Sequence, residues 1–311
     1  MALSARQVAI LYIIVAVGVV ADRVGLFTEK TALKCTDLLF YIVVPAKIIE
    51  SFITLEFSPE IARKLLMAAG CAFLLHAVSI TLSTVFFRRC PESTAGIYKF
   101  ATTYGNCGYM SLPLVSALAG TEGVLYCSVV IITVQIFSFT HGIYIMTKGK
   151  TDGNGQKAKI DPKRIVLNPG VVGFLIGLPL FLLPVQMPVV VSQPIGYLAS
   201  LNTPLAMLIF GTYLSRADLK SVFTDKRLPL VAVLKLLVLP GIMIALYKCF
   251  GFTGSLLTSL VITASAPSAN NTVMFAAKYG RDTALASQVV SAVSLMSIVT
   301  IPLMIGISSA V

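Results

Sequence analysis

The sequence predicts an all-α integral membrane protein of ten transmembrane helices, built as two inverted five-helix repeats whose fourth and ninth helices are broken and cross. Three observations carry that reading. Of 311 residues, 57% are hydrophobic and 12% charged, with a mean hydropathy of +0.89; soluble domains carry about 25% charged residues. Apolar runs long enough for a helix to cross about 30 Å of hydrocarbon fall near 7–27, 33–55, 62–87, 94–119, 122–147, 165–184, 189–215, 228–250, 253–279 and 282–307. The basic residues, finally, alternate from loop to loop.

The alternation sets the topology. Loops after runs 1, 3, 5, 7 and 9 hold 18 of the 24 Lys and Arg, and the opposite side holds four (Arg6, Arg63, Lys64, Lys248). By the positive-inside rule the first side is cytoplasmic, and both termini face out of the cell. The net charge of +11 is thereby explained by topology, and a nucleic-acid partner is not expected. One polar linker, 148–164, separates a first set of five spans (1–147) from a second (165–311). An odd number per half turns the second half upside down relative to the first, which makes an inverted repeat. At an offset of about 160 residues, Gly120-Thr121-Glu122 falls on Gly280-Arg281-Asp282, Pro45 beside Pro204, and Asn106 on Ala266 next to Pro267. The cysteines (35, 71, 90, 107, 127, 249) are scattered and read as free thiols rather than a disulfide or metal framework. The first apolar run is long and followed by others, so it is expected to stay as a membrane helix.

Two stretches interrupt the spans. Tyr104-Gly105-Asn106-Cys107-Gly108-Tyr109-Met110-Ser111-Leu112-Pro113 breaks span 4, and Ser265-Ala266-Pro267-Ser268-Ala269-Asn270-Asn271 breaks span 9. Glycine and proline disrupt a helix, and irregular backbone at membrane depth persists only inside protein or along a watery cavity. Matched breaks in two halves are the sequence pointer to a transporter's binding site. Each second half-helix would present its N-terminus at mid-membrane, where unpaired N–H groups attract an anion. Pro267 suits the first turn of such a helix, and Asn106, Ser111, Ser265, Asn270, Asn271 and Thr272 could complete the hydrogen bonding. A pair of proline kinks packed by small residues is the plainer alternative.

Ionisable and polar residues within spans are the other candidates. His76, near the middle of span 3, could carry a coupling proton or simply pack. Lys47 could attract a substrate carboxylate, snorkel, or pair with Glu50. Lys235, eight residues from Arg227, reads as snorkelling. Gln135 in span 5 suits a helix–helix hydrogen bond, and Asn168-Pro169 a helix cap and first turn.

The motifs resemble those of the auxin efflux carrier family. Residues 104–114 are similar to its interrupted fourth helix, Asn168-Pro169-Gly170 to the start of its sixth, Asn202-Thr203-Pro204-Leu205-Ala206-Met207 to its seventh, and Ala264–Thr272 with Lys278-Tyr279-Gly280 to its second crossover. The likeness spans essentially the whole chain, and the short central loop resembles bacterial-type members rather than plant carriers. It implies a fold similar to that of bile acid:sodium symporters, with a scaffold of helices 1, 2, 6 and 7, a mobile domain of helices 3–5 and 8–10, an elevator movement, and a homodimer through the scaffold. It implies organic-anion substrates: auxin in plants, malate, malonate and similar acids in bacteria. The crossover residues Asn106, Pro113, Pro267 and Asn271 carry over as substrate-site candidates, and His76 and Gln135 as a support site. Lys47 departs from an apolar residue, and Ala277 from an acidic one. With Cys107 and Lys47 added, the candidate binding set is Asn106, Cys107, Ser111, Pro113, Ser265, Pro267, Asn270, Asn271, Thr272 and Lys47.

The expected function is therefore secondary transport of small carboxylates across the cell membrane, without a cofactor or bound metal, coupled to H+, to Na+ or to membrane potential alone. A receptor that binds the acid without moving it is the alternative. The chain has no HExxH, GxSxG or paired intramembrane aspartates, so no enzyme is expected, and no GxxxxGK[ST] loop for an ATP-driven pump.

Overall fold

The computed structural model describes residues 2–148, 162–183, 187–216 and 227–310. Most of the predicted linker, including Lys150, Lys157 and Lys159, lies outside the described residues, as do Lys220 and Lys226. Among the described residues every regular element is helical. In chain order these are α1 (Ala2–Arg23), α2 (Glu29–Leu38), α3 (Val44–Thr54), α4 (Pro59–Phe86), α5 (Glu92–Thr103), α6 (Leu112–Phe137), α7 (Ile143–Thr147), α8 (Pro162–Val166), α9 (Pro169–Leu182), α10 (Val189–Ser200), α11 (Asn202–Ser215), α12 (Leu228–Val233), α13 (Leu239–Cys249), α14 (Gly254–Ala264), α15 (Asn271–Lys278) and α16 (Thr283–Ala310). Wider π-turns join α2 to α3 (Leu39–Val43), lead into α6 (Cys107–Ser111), join α6 to α7 (Ser138–Gly142) and join α12 to α13 (Leu234–Val238).

Three of these π-turns share a sequence cause. Pro45, Pro113 and Pro240 each stand two residues past the turn, at the start of the next helix. A proline has no N–H to give and its ring crowds the carbonyl four residues back, so the preceding turn widens instead of closing normally. Side-chain caps fix other ends. Ser58 accepts from the Ile61 amide at 3.2 Å to open α4, with Pro59 behind it. Asn168 accepts from the Gly170 amide at 3.0 Å to open α9, with Pro169 in its first turn, as the Asn-Pro pair predicts.

Among the described residues five stretches are long and apolar enough to cross a membrane: Pro59–Phe86, Cys107–Thr147, Val189–Ser215, Leu228–Cys249 and Thr283–Ala310. The second, at 41 residues, would reach about 60 Å if straight, roughly twice the hydrocarbon thickness. It is interrupted at Gly120, whose φ of 65° and ψ of −161° are not helical. Gly280, its predicted counterpart, also has a left-handed φ, 60°, which costs little only for glycine.

The helices pack in two sets. α1 lies along α11, α3 along α9 and α10, and α2 against α11. In the other set α6 packs on α14 and α4, α5 on α4 and α16, and α13 on α14. Polar contacts tie the helix ends together. At one end Arg216 binds Asp22 at 2.8 Å and Glu29 at 3.2 Å, and buried Arg281 donates to the carbonyls of Met146, Glu92 and Lys148 at 2.6–2.8 Å. Another cluster joins Glu122 to Ser255 at 2.6 Å and to Lys64 at 3.7 Å. Each cluster draws only on ends that the charge tally assigns to one side.

Candidate functional site: the paired helix breaks

The two breaks meet through their backbones. Tyr104–Asn106 and Pro267–Ala269 run antiparallel, with Gly105 opposite Ser268. The Asn106 amide donates to the Pro267 carbonyl at 2.7 Å, and the Ala269 amide to the Tyr104 carbonyl at 2.9 Å. The buried Ser268 hydroxyl donates to Ala101 O at 2.8 Å. Backbone groups freed by the breaks thus satisfy one another rather than facing lipid, where each unpaired group would cost several kcal/mol. Glycine gives the crossing room at 105. A Cβ there would fall 3.0 Å from the Ala266 Cβ and 3.3 Å from the Lys235 ammonium nitrogen.

The breaks resume as helices differently. After the extended residues the first passes through the Cys107–Ser111 π-turn into α6, with Pro113 in its first turn. The second stays irregular until α15 begins at Asn271. Pro267 therefore does not open the half-helix, as its sequence suggests; its carbonyl is used in the crossing, and the helix starts four residues later.

A cavity of about 40 Å³ opens beside the crossing. Asn106, Cys107, Gly108 and Tyr109 line it from the first break, Ala269, Asn270 and Asn271 from the second, and Gln135 from α6. Phe40, Val44, Asn168 and Gly170 close it from the other helix set, where Phe40 stacks on Tyr109 with ring centroids 5.4 Å apart. A single water needs about 10–15 Å³ on this measure, so the cavity is small. No carboxylate lines it. The Gln135 Oε1 is buried without a hydrogen-bond partner, which leaves an unmet polar atom on a residue of the wall. A larger cleft, about 100 Å³, lies at the opposite end of α5 among Arg88, Glu92, Lys99 and Lys148, a helix length from the breaks.

The other candidates divide between crossing and packing. Cys107 Sγ reaches Thr263 O at 3.8 Å, and Ser111 donates to Ile262 O at 3.3 Å, so both fasten the first break to α14. Thr272 closes its own turn on Ala269 O at 2.7 Å. The Pro113 carbonyl accepts from Thr203 at 3.5 Å. Ser265 is fully buried, and its hydroxyl has no partner. Lys47 is held by Glu50 at 2.7 Å and is not in the cavity wall. His76 is also absent from the wall. It is 2% exposed, bonds Ala72 O through Nδ1 at 2.7 Å, and stacks on Phe137 at 4.7 Å.

Lys235 corrects the sequence reading. Rather than snorkelling, it is 2% exposed and reaches inward to Thr103 O, the C-terminal end of α5, at a long 3.5 Å. The π-turn that carries it, set by Pro240, was the available signal.

Comparison with known proteins places the chain among membrane transport proteins. Residues 3–305 match the family profile described as membrane transport protein. An uncharacterized transporter of Methanothermobacter thermautotrophicus is 24% identical over 96% of this chain and 97% of its own length. A protein of Rhizobium meliloti named "Putative malonate transporter" is 24% identical over 76% of this chain and 74% of its own. An uncharacterized transporter of Methanocaldococcus jannaschii is also 24% identical, over 95% and 96%. With nearly its whole length matched, and with the crossover motifs of the auxin efflux carriers in place, the chain belongs to this membrane transport protein family.

Proposed function

We propose that the protein is a secondary transporter of small organic anions, carboxylates such as malate, malonate or auxin-like acids, bound at the crossing of the two breaks. The observation that carries this reading is the joining of the breaks by two backbone hydrogen bonds beside a cavity walled by Asn106, Asn270, Asn271 and Gln135. Amide side chains and main-chain N–H groups suit a carboxylate, and the start of α15 adds the positive end of a helix. The named Rhizobium relative supports a dicarboxylate as the first acid to test.

Alternating access of the elevator type fits the packing. The cavity lies between the two helix sets, with Phe40, Val44, Asn168 and Gly170 on one side and the breaks on the other. At about 40 Å³ it must widen to admit an organic acid, and sliding one set against the other would do so. The left-handed Gly120 and Gly280, 160 residues apart, favour the inverted repeat. Ten spans, outward-facing termini and a homodimer through α1, α2, α3, α9, α10 and α11 complete the proposal.

Uptake of malate, malonate and indole-3-acetate into proteoliposomes, under separately imposed proton, sodium and potential gradients, tests it. Saturable uptake of one acid is expected, and the driving gradient names the coupling. Asn106→Ala should weaken binding of that acid by about tenfold, the loss of one hydrogen bond to a charged group, in a protein that melts like the wild type. Binding without uptake under every gradient would instead make the protein a receptor.

A further inference from the structure

Lys235 has no role in the reading above. Its ammonium is fully enclosed at the level of the breaks. Among the described residues no carboxylate pairs with it, and the hydrogen bond it makes, to Thr103 O, is long at 3.5 Å. A lysine has three donors, and a buried charge left so poorly met is costly unless something in the site needs it.

Its place shows what that is. The nitrogen lies 3.3 Å from where a Gly105 Cβ would stand and is not part of the cavity wall, to which Gly105, Asn106 and Cys107 belong. It sits at the C-terminal end of α5, the negative end of the helix dipole, beside the Thr103 carbonyl. Unwound carbonyls at such a break are what a sodium ion would use as ligands. We propose that Lys235 is a tethered cation that occupies this position permanently, so that the site binds its organic anion without a sodium ion. This deepens the anion-transporter reading and rests on it.

Two physical consequences follow. A mobile cation brought within about 4 Å of the ammonium would be repelled by the equivalent of about a thousandfold in affinity at the effective dielectric of a protein. An anion in the cavity meets instead a fixed positive charge beside Gly105, a residue of its wall, in surroundings that screen it little. Arginine at this position would keep the charge but not the compact point-like head.

The test uses the full-length protein in nanodiscs, with malonate as the probe, in choline chloride and in sodium chloride at equal ionic strength. Wild type is expected to bind malonate equally in the two salts, within about twofold. Lys235→Met should lose about tenfold or more in both, the scale of a lost charge-assisted hydrogen-bonding group, and Lys235→Arg should retain part of the affinity. Sodium tightening of wild-type binding by tenfold, or a well-folded Lys235→Met that binds like wild type, would overturn the proposal. Melting of the ligand-free wild type in the two salts provides an arm that needs neither the variant nor a substrate. No sodium-specific rise in Tm is expected, and a rise of several degrees would overturn the proposal. If wild type binds none of the acids but melts alike in both salts, the choice of substrate fails while the sodium-free site stands.

Discussion

His76 and Lys235 stand 159 residues apart, the same separation as Pro45 and Pro204. Both are ionisable, both are 2% exposed, and both lie on helices that pack around the breaks. Their surroundings differ. His76 sits in the unbroken α4, bonded within its own helix and stacked on Phe137. Lys235 sits in a π-turn and reaches a carbonyl 132 residues away in sequence. On the proposed inverted repeat, one arm carries a lysine where the other carries a histidine, and the lysine arm is the one at the end of α5. If the proposed repeat holds, the two halves differ most in electrostatics, which is where a transporter of this design would become selective.

Several substitutions can break or sharpen that contrast. After loss of the Lys235 charge, the largest effect is expected from Gly105→Ala. Its methyl would press on Ala266, which has no flexible end to move, and on Lys235. Overpacking of this kind costs about 1–3 kcal/mol, so uptake should collapse and Tm fall. Gly70→Ala, on α4 outside the cavity wall and with nothing within 4 Å of the new methyl, is the control and should stay close to wild type. If both variants behave alike, the tight contact at the crossing is not what matters.

An intermediate effect is expected at His76. His76→Gln should lower Tm through the lost stacking on Phe137, an aromatic contact worth about 0.5–1.5 kcal/mol, while the pH profile of uptake keeps its shape. A flattened profile would give His76 the coupling proton and make the two arms functional equals. The smallest effect belongs to the other lysine within a predicted span. Lys47→Met should leave malonate affinity within about twofold and change stability by at most about 1 kcal/mol, the usual scale of a partly exposed ion pair, because Glu50 already holds the ammonium.

Much of this was readable in the chain. The breaks announce themselves through Gly105, Pro113, Pro267 and the three asparagines, because those residue types act on their own backbone and need no partner to do so. The Lys47–Glu50 pair is legible for the same reason, being three residues apart on one helix. Lys235 was misread because its depth was judged by counting along a straight helix from Arg227, whereas its environment is made by Thr103 and Gly105 from a distant segment. Pro267 was misplaced because proline is at home both in a first helical turn and in an extended strand. Its partner across the crossing decided between them, and that partner is Asn106, far away in sequence.

The crossing is held by main-chain atoms: an amide at 106 on a carbonyl at 267, and an amide at 269 on a carbonyl at 104. At positions 106 and 269 such a clasp asks only for an N–H, which proline alone would remove. Mutation can therefore try new side chains around the cavity without dismantling the frame that presents them. A lineage built on this clasp is free to drift in sequence around a fixed frame, and relatives that share only 24% of their residues with this chain over nearly its full length are what such freedom would leave behind.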